Sequence, residues 1–137
     1  NPVYIDPLPS SGLIGPAPEV ARLLLAYLNE GELDGVRILS PQSVALMTGG
    51  SQVIGEGPNI AAYQNGRHGL GWYVIPEGKR LRLQHDGAGP GFATTMRLYP
   101  AEKVAIVIMA NGTDLDRDGI ANRLAQLALE AADMRTR

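Results

Sequence analysis

Apolar residues repeat at helical spacing in the first part of the chain and at strand spacing after it. Val20, Leu23, Leu24, Tyr27 and Leu28 fall three and four positions apart, which predicts an amphipathic helix from about Pro18 to Glu30. Pro18 suits the first helical position, where its missing N–H would be unpaired anyway, and Gly31 stands where a C-terminal cap belongs. Ser40 before Pro41 signals the N-cap of a second, shorter helix with Val44, Leu46 and Met47 as its apolar part. From Arg67 the period drops to two. Leu70, Trp72 and Val74 alternate with Gly71 and Tyr73, and Leu81 and Leu83 alternate with Arg80, Arg82 and Gln84. Phe92, Thr94, Met96 and Leu98 alternate with Ala93, Thr95, Arg97 and Tyr99. Val104 to Met109 is apolar at every position, as in a strand covered on both faces. Asp114, Asp116 and Asp118 then open a last helix at its positive end. Its apolar stripe, Ile120, Leu124, Leu127, Ala128 and Ala131, is expected to pack on the sheet.

Turn residues at Pro76 to Gly78 and Pro100 to Lys103 leave no room for crossover connections, so the strands read as an antiparallel meander. The expected fold is α+β, one unit over residues 1–137. Residues 1–66 supply a lead-in rich in Pro, Ser and Gly, two helices and a glycine-rich loop from Gly49 to Gly66. Residues 67–137 supply a sheet of three to four strands and the C-terminal helix. Composition changes little: 45% hydrophobic and 19% charged residues are ordinary for a globular chain. A net charge of -2 argues against a nucleic-acid partner, which asks for a basic face. With no cysteine, disulfides, thiolate metal sites and a cysteine nucleophile are excluded. The longest apolar run, Val104 to Ala110, is strand-sized and far short of the ~20 residues that span a bilayer.

The candidate chemistry lies in Gln84-His85-Asp86-Gly87-Ala88-Gly89-Pro90-Gly91-Phe92, between two strands. This stretch resembles the third active-site motif of the serine β-lactamase and penicillin-binding-protein superfamily, in which the position of His85 is Lys or His. Other segments follow the same order. Ser11-Gly12-Leu13-Ile14 is similar to the lead-in to a helix, Asn29 to Gly35 to a glycine-rich turn, and Ile38-Leu39-Ser40-Pro41 to the start of the next helix. Gly69-Leu70-Gly71-Trp72 resembles a Gly-x-Gly-Trp strand, and Ala110-Asn111-Gly112 the end of the following apolar strand. Class C β-lactamases and family VIII-type esterases are the relatives this pattern resembles.

The resemblance implies a serine hydrolase of which this chain is the C-terminal portion, the remaining N-terminal part of the domain being its partner. Ser-x-x-Lys, the nucleophile motif, does not occur in the chain. Tyr27-Leu28-Asn29 and Tyr63-Gln64-Asn65 look like the family's Tyr-x-Asn motif, but the first faces a helix core and the second falls at the wrong point in the order. By resemblance, His85, Gly87 and Ala88 are catalytic, with the Ala88 N–H as one of two oxyanion donors, and Asp86, Gly89 and Phe92 line the substrate. Alternation points Asp86 away from His85, so the pair does not read as part of a triad. An imidazole carries less charge at neutral pH than a lysine ammonium and anchors a substrate carboxylate less well, which favours esters or amides over β-lactams. The implied substrate is a small acyl compound, with no metal and no organic cofactor. Self-association through an unpaired strand edge is a further expectation. The alternative is a binding or assembly module that keeps the fold without the chemistry.

His68 and His85 with no third ligand do not make a zinc pattern, and the spacing of Asp114, Asp116 and Asp118 lacks the glycine and distal glutamate of a calcium loop. Of Trp72 and Tyr73, one is expected in the core.

Overall fold

Two prolines set the start of the first helix. Pro16 caps α1 (Ala17–Leu28) from an extended conformation, and Pro18 sits in the first turn. The helix stops where expected: the Gly31 N–H donates to the Ala26 carbonyl at 2.7 Å, with Gly31 at φ +91. This computed structural model describes residues 14–48 and 66–135. The expected lead-in before Ile14, the segment Ser11 to Leu13, most of the Gly49 to Gly66 loop and Tyr63-Gln64-Asn65 lie outside the described residues.

After α1 come a two-residue hairpin, β1 (Glu32–Leu33) and β2 (Val36–Arg37), and then α2 (Pro41–Thr48). Ser40 caps α2, its Oγ accepting the Ser43 N–H at 3.0 Å. The sheet follows: β3 (Arg67–His68), β4 (Tyr73–Glu77), β5 (Arg80–Gly89), β6 (Phe92–Tyr99) and β7 (Val104–Asn111). Each strand pairs antiparallel with the next, in the order β3-β4-β5-β6-β7. The sheet therefore has five strands where the alternation predicts three to four, the addition being the short β3. The last helix is α3 (Arg117–Arg135), capped by Asp116, whose Oδ1 accepts the Gly119 N–H at 2.9 Å.

The sheet is covered on both faces. On one side, Leu24 and Leu28 of α1 join Trp72, Val74, Leu83 and Leu98. Tyr27 is packed there too, edge-on to Trp72 with ring centres 5.4 Å apart, its hydroxyl donating to the Met47 sulfur at 3.7 Å. On the other side, Ala125 and Leu129 of α3 meet Tyr99 and Ile106.

One expectation is overturned on that second side. The helix docks through its small residues, with Ala121, Ala125 and Leu129 buried, while Ile120, Leu124 and Leu127 remain 40%, 43% and 47% exposed. Small side chains let the helix approach β7 and β6 closely, and Arg97 of β6 lies against it. Arg82, Gln84, Thr95 and Arg97, which alternate with the apolar positions of β5 and β6, are also buried. Charges so placed need partners. Arg97 finds Asn122 at 2.6 Å and Asp118 at 3.0 Å on α3, and Arg82 finds Glu77 at 3.1 Å. The Tyr99 hydroxyl donates to the same Glu77 at 3.2 Å.

Two outcomes follow for stability. Leu83→Ala, at a fully buried position, is expected to cost about 2–5 kcal/mol in urea unfolding, and Leu124→Ala only about 0.5 kcal/mol or less; equal losses would mean that α3 docks through the larger stripe. Burial first, and then the Glu77 carboxylate, raise the Tyr99 pKa above the ordinary 10.0, and burial raises that of Tyr27. A raised phenol pKa favours the folded state below the unfolded value of about 10, and that contribution is lost as pH rises through the folded value. The urea midpoint is thus expected to fall above about pH 10, less steeply in Tyr99→Phe; an identical slope in the variant would contradict this.

Candidate active-site strand

Strand β5 changes partner half-way along. It pairs with β4 over Arg80–Gln84 and with β6 over Leu83–Gly89. Both connections are two-residue turns, Gly78-Lys79 closed by Glu77 and Arg80, and Pro90-Gly91 closed by Gly89 and Phe92. Gly91 has φ +82, which its turn position requires. The closing pair of such a hairpin exchanges both backbone bonds, and bonding direction alternates from there. Backbone groups of Gly89, Gly87 and His85 therefore turn toward β6. Those of Gln84 turn toward Tyr73 of β4, and those of Asp86 and Ala88 turn to the same side beyond the point where β4 ends. Among the described residues no strand occupies that edge.

Side-chain alternation sorts the motif onto two faces. His85, Gly87 and Gly89 lie opposite Met96, Thr94 and Phe92, on the side that carries the α1 core. Asp86 and Ala88 lie opposite Thr95 and Ala93, on the α3 side. The structure thus brings His85, Gly87, Gly89 and Phe92 to one face. Ala88 stays with them through its backbone amide alone, and the Asp86 side chain does not join them. Both Asp86 oxygens accept from Gln84 Nε2, at 3.0 and 2.9 Å, and Arg117 Nη2 lies 3.9 Å away. Arg117 also donates to the Thr94 carbonyl at 3.1 Å and to Asp118 at 3.2 Å, so one guanidinium joins β5, β6 and α3.

The glycines have reasons inside the chain. A Cβ on Gly87 would lie 2.6 Å from Thr94 Oγ1, which donates to the Gly87 carbonyl at 3.5 Å. A Cβ on Gly89 would lie 2.5 Å from the Phe92 ring, which covers that glycine across the hairpin. His85 itself is exposed. Its ring lies parallel to that of Tyr73, centres 5.6 Å apart, and Tyr73 stacks on His68 at 4.8 Å. Neither Tyr73 nor His68 stands out in the motif; the signal was the Leu70-Gly71 turn, which folds β3 back onto β4. Among the described residues no group of three His, Cys, Asp or Glu could hold a metal ion. A polar cavity of about 470 Å³ between the end of α1, the β1–β2 hairpin and Lys103 borders none of the motif residues.

Strand β5 thus carries His-x-Gly, ends in a tight glycine turn and, among the described residues, has no strand along its outer edge beyond β4. The family model described as Beta-lactamase matches residues 1–130. The chain belongs to the β-lactamase family. No curated protein and no solved structure matches it significantly. Membership carries the chain into a superfamily of serine hydrolases and agrees with the α+β architecture found here.

The fit at Gly87 is open to measurement. Gly87→Ala is expected to destabilise the chain by about 1–3 kcal/mol through the clash with Thr94 Oγ1, and Thr94→Ala in the same chain to recover much of that loss. Additive costs in the double-mutant cycle would remove Thr94 as the reason for the glycine.

Proposed function

We propose that this β-lactamase-family chain forms one wall of a serine hydrolase active site, cleaving ester or amide bonds of small acyl substrates through an acyl-enzyme. The observation that carries this reading is the stretch of β5 from His85 to Gly89, with its His-x-Gly and no described strand beyond β4 along its outer edge. A substrate lying along that edge adds itself to the sheet as an extended segment and meets the backbone groups of Ala88. The Ala88 N–H is one donor of the oxyanion hole. Such a donor, aimed at charge that develops only in the transition state, contributes about 3–4 kcal/mol. Gly87 keeps the surface beside that donor low, because a side chain there is already displaced by Thr94. His85, exposed at the head of the edge, faces the polar end of the substrate. Phe92 packs over Gly89 at the far end of this stretch.

The serine that forms the acyl-enzyme comes from outside these 137 residues, since Ser-x-x-Lys is absent from them. The chain by itself supplies binding and half of the oxyanion hole. Asp86 acts at one remove in this scheme: its ties to Gln84 and Arg117 hold the strand whose backbone does the work.

His85 sets the substrate preference. With a lysine at this position a β-lactam carboxylate gains a charge-assisted hydrogen bond. In a polypeptide that also carries the nucleophile, His85→Lys is expected to raise kcat/KM for carboxylate-bearing chromogenic cephalosporins about tenfold relative to nitrophenyl esters. The chain alone is expected to turn over neither. Turnover by the isolated chain would place the nucleophile within it and overturn the scheme, and no acyl transfer by the nucleophile-bearing polypeptide would favour the binding module instead.

A further inference from the structure

Three rings stand in a row where β4 ends. His68 and Tyr73 are cross-strand neighbours on β3 and β4, with ring centres 4.8 Å apart and planes 24° from parallel. Tyr73 and His85 are 5.6 Å apart with planes only 1° from parallel. Both separations lie in the range of offset aromatic stacks. Alternation by itself would send Tyr73 and His85 to opposite faces, because Tyr73 is registered against Gln84. They meet because Tyr73 is the first residue of β4, beside the stretch of β5 that β4 does not accompany.

The short β3 strand has no role in the core, yet it is placed to hold this row. The Gly69 N–H donates to the Trp72 carbonyl at 2.7 Å, closing a turn over Leu70-Gly71, with Gly71 at φ +80. That closure makes His68 and Tyr73 a non-hydrogen-bonded pair, the kind whose side chains approach most closely. Trp72 turns into the core, which leaves Tyr73 for the other side. The His68 Nε2 is buried without a hydrogen-bond partner among the described residues, so its ring is held by stacking and packing.

We infer that Tyr73, backed by His68, is a positioning residue that fixes the plane of the His85 imidazole at the open edge of β5. The functional meaning of this rests on the reading of that edge as the active site. An exposed imidazole left to itself samples several rotamers, and its two nitrogens then point in as many directions. A parallel ring on one side removes that freedom before substrate arrives. The gain is preorganisation, so it acts on the chemical step more than on binding. His68 enters through Tyr73: it fills the space behind the phenol ring, so that Tyr73 cannot swing away from His85.

The test reads the rings directly in this chain. In NMR spectra the ring protons of His85 are expected upfield of those of a free histidine, displaced by the face of Tyr73, with cross-relaxation between the Tyr73 and His85 rings. Tyr73→Leu returns the His85 signals to free-histidine positions, Tyr73→Phe keeps them displaced, and His68→Leu reduces the displacement. The Trp72 indole signal reports whether each variant keeps its fold. Unshifted His85 ring protons in the unmodified chain, without cross-relaxation to Tyr73, overturn the inference with no variant needed. In a polypeptide that carries the nucleophile, Tyr73→Leu is expected to lower kcat on a nitrophenyl ester about twofold to tenfold with little change in KM, and Tyr73→Phe to restore it. A stack seen by NMR in a polypeptide without hydrolase activity sinks the functional reading and leaves the positioning of His85 standing. Activity indifferent to Tyr73→Leu sinks the positioning role and leaves the hydrolase.

Discussion

The mismatch between β4 and the strand beside it governs this structure. Strand β5 runs ten residues, and β4 accompanies it only as far as Gln84. A β-strand has two rows of backbone donors and acceptors, and each must be paired or left to solvent or ligand. Along the second half of β5 one row is consumed by β6, and the other has no partner strand among the described residues. In a sheet this is normally an aggregation hazard. Here it coincides with the only segment of the sheet in which glycines stand at alternate positions, Gly87 and Gly89, with His85 before them. The row is open where the side chains beside it have been made small.

The two faces of β5 divide the labour. The α1 face carries the motif and continues into the Leu83, Val74 and Trp72 core, so the floor of the edge is continuous with the best-packed part of the molecule. The α3 face carries Arg82, Gln84 and Asp86, tied to Glu77, Arg117 and, through Arg117, to Asp118. Buried ion pairs of this kind add little net stability, since desolvation offsets most of the attraction, but they tolerate few alternative geometries. Arg117 is the clearest case: it holds Asp86 on one strand, the Thr94 carbonyl on the next and the first turn of α3. A shift of α3 along the sheet would break all three, so the helix and the open edge are held in one register.

Much of this was legible in the residues. The period-two runs from Trp72 to Met109 located the strands, Pro18 and Gly31 bracketed α1, and Ser40 and Asp116 capped the helices after it. Arg82, Gln84, Thr95 and Arg97 were not legible as buried, because polarity normally marks an outer face. Arg97 is covered by the polar first half of α3, with Asp118 and Asn122 reaching down to it. The same polar seam explains why the larger stripe of α3 faces out: a helix that must bring Asp118 and Asn122 to the sheet turns Ala121 and Ala125 toward it, and Ile120 and Leu124 away. A hydrophobic stripe read alone omits that competition.

The site was legible only in part, and for a related reason. His85, Gly87 and the amide of Ala88 follow from a linear motif, because neighbours on one strand alternate by rule. Tyr73 and His68 depend on where a different strand stops, which no local pattern announces. Trp72 and Tyr73 are adjacent, aromatic and similar in size, and the sequence does not say which of them enters the core. Once Trp72 occupies the space beside Leu83, Tyr73 is left at the sheet margin, and the short fold-back through Gly71 brings His68 behind it. The orientation of His85 thus follows from a choice made in the core, at a residue outside the motif. A smaller residue in place of Trp72 would reach the candidate catalytic histidine through Tyr73 without touching it.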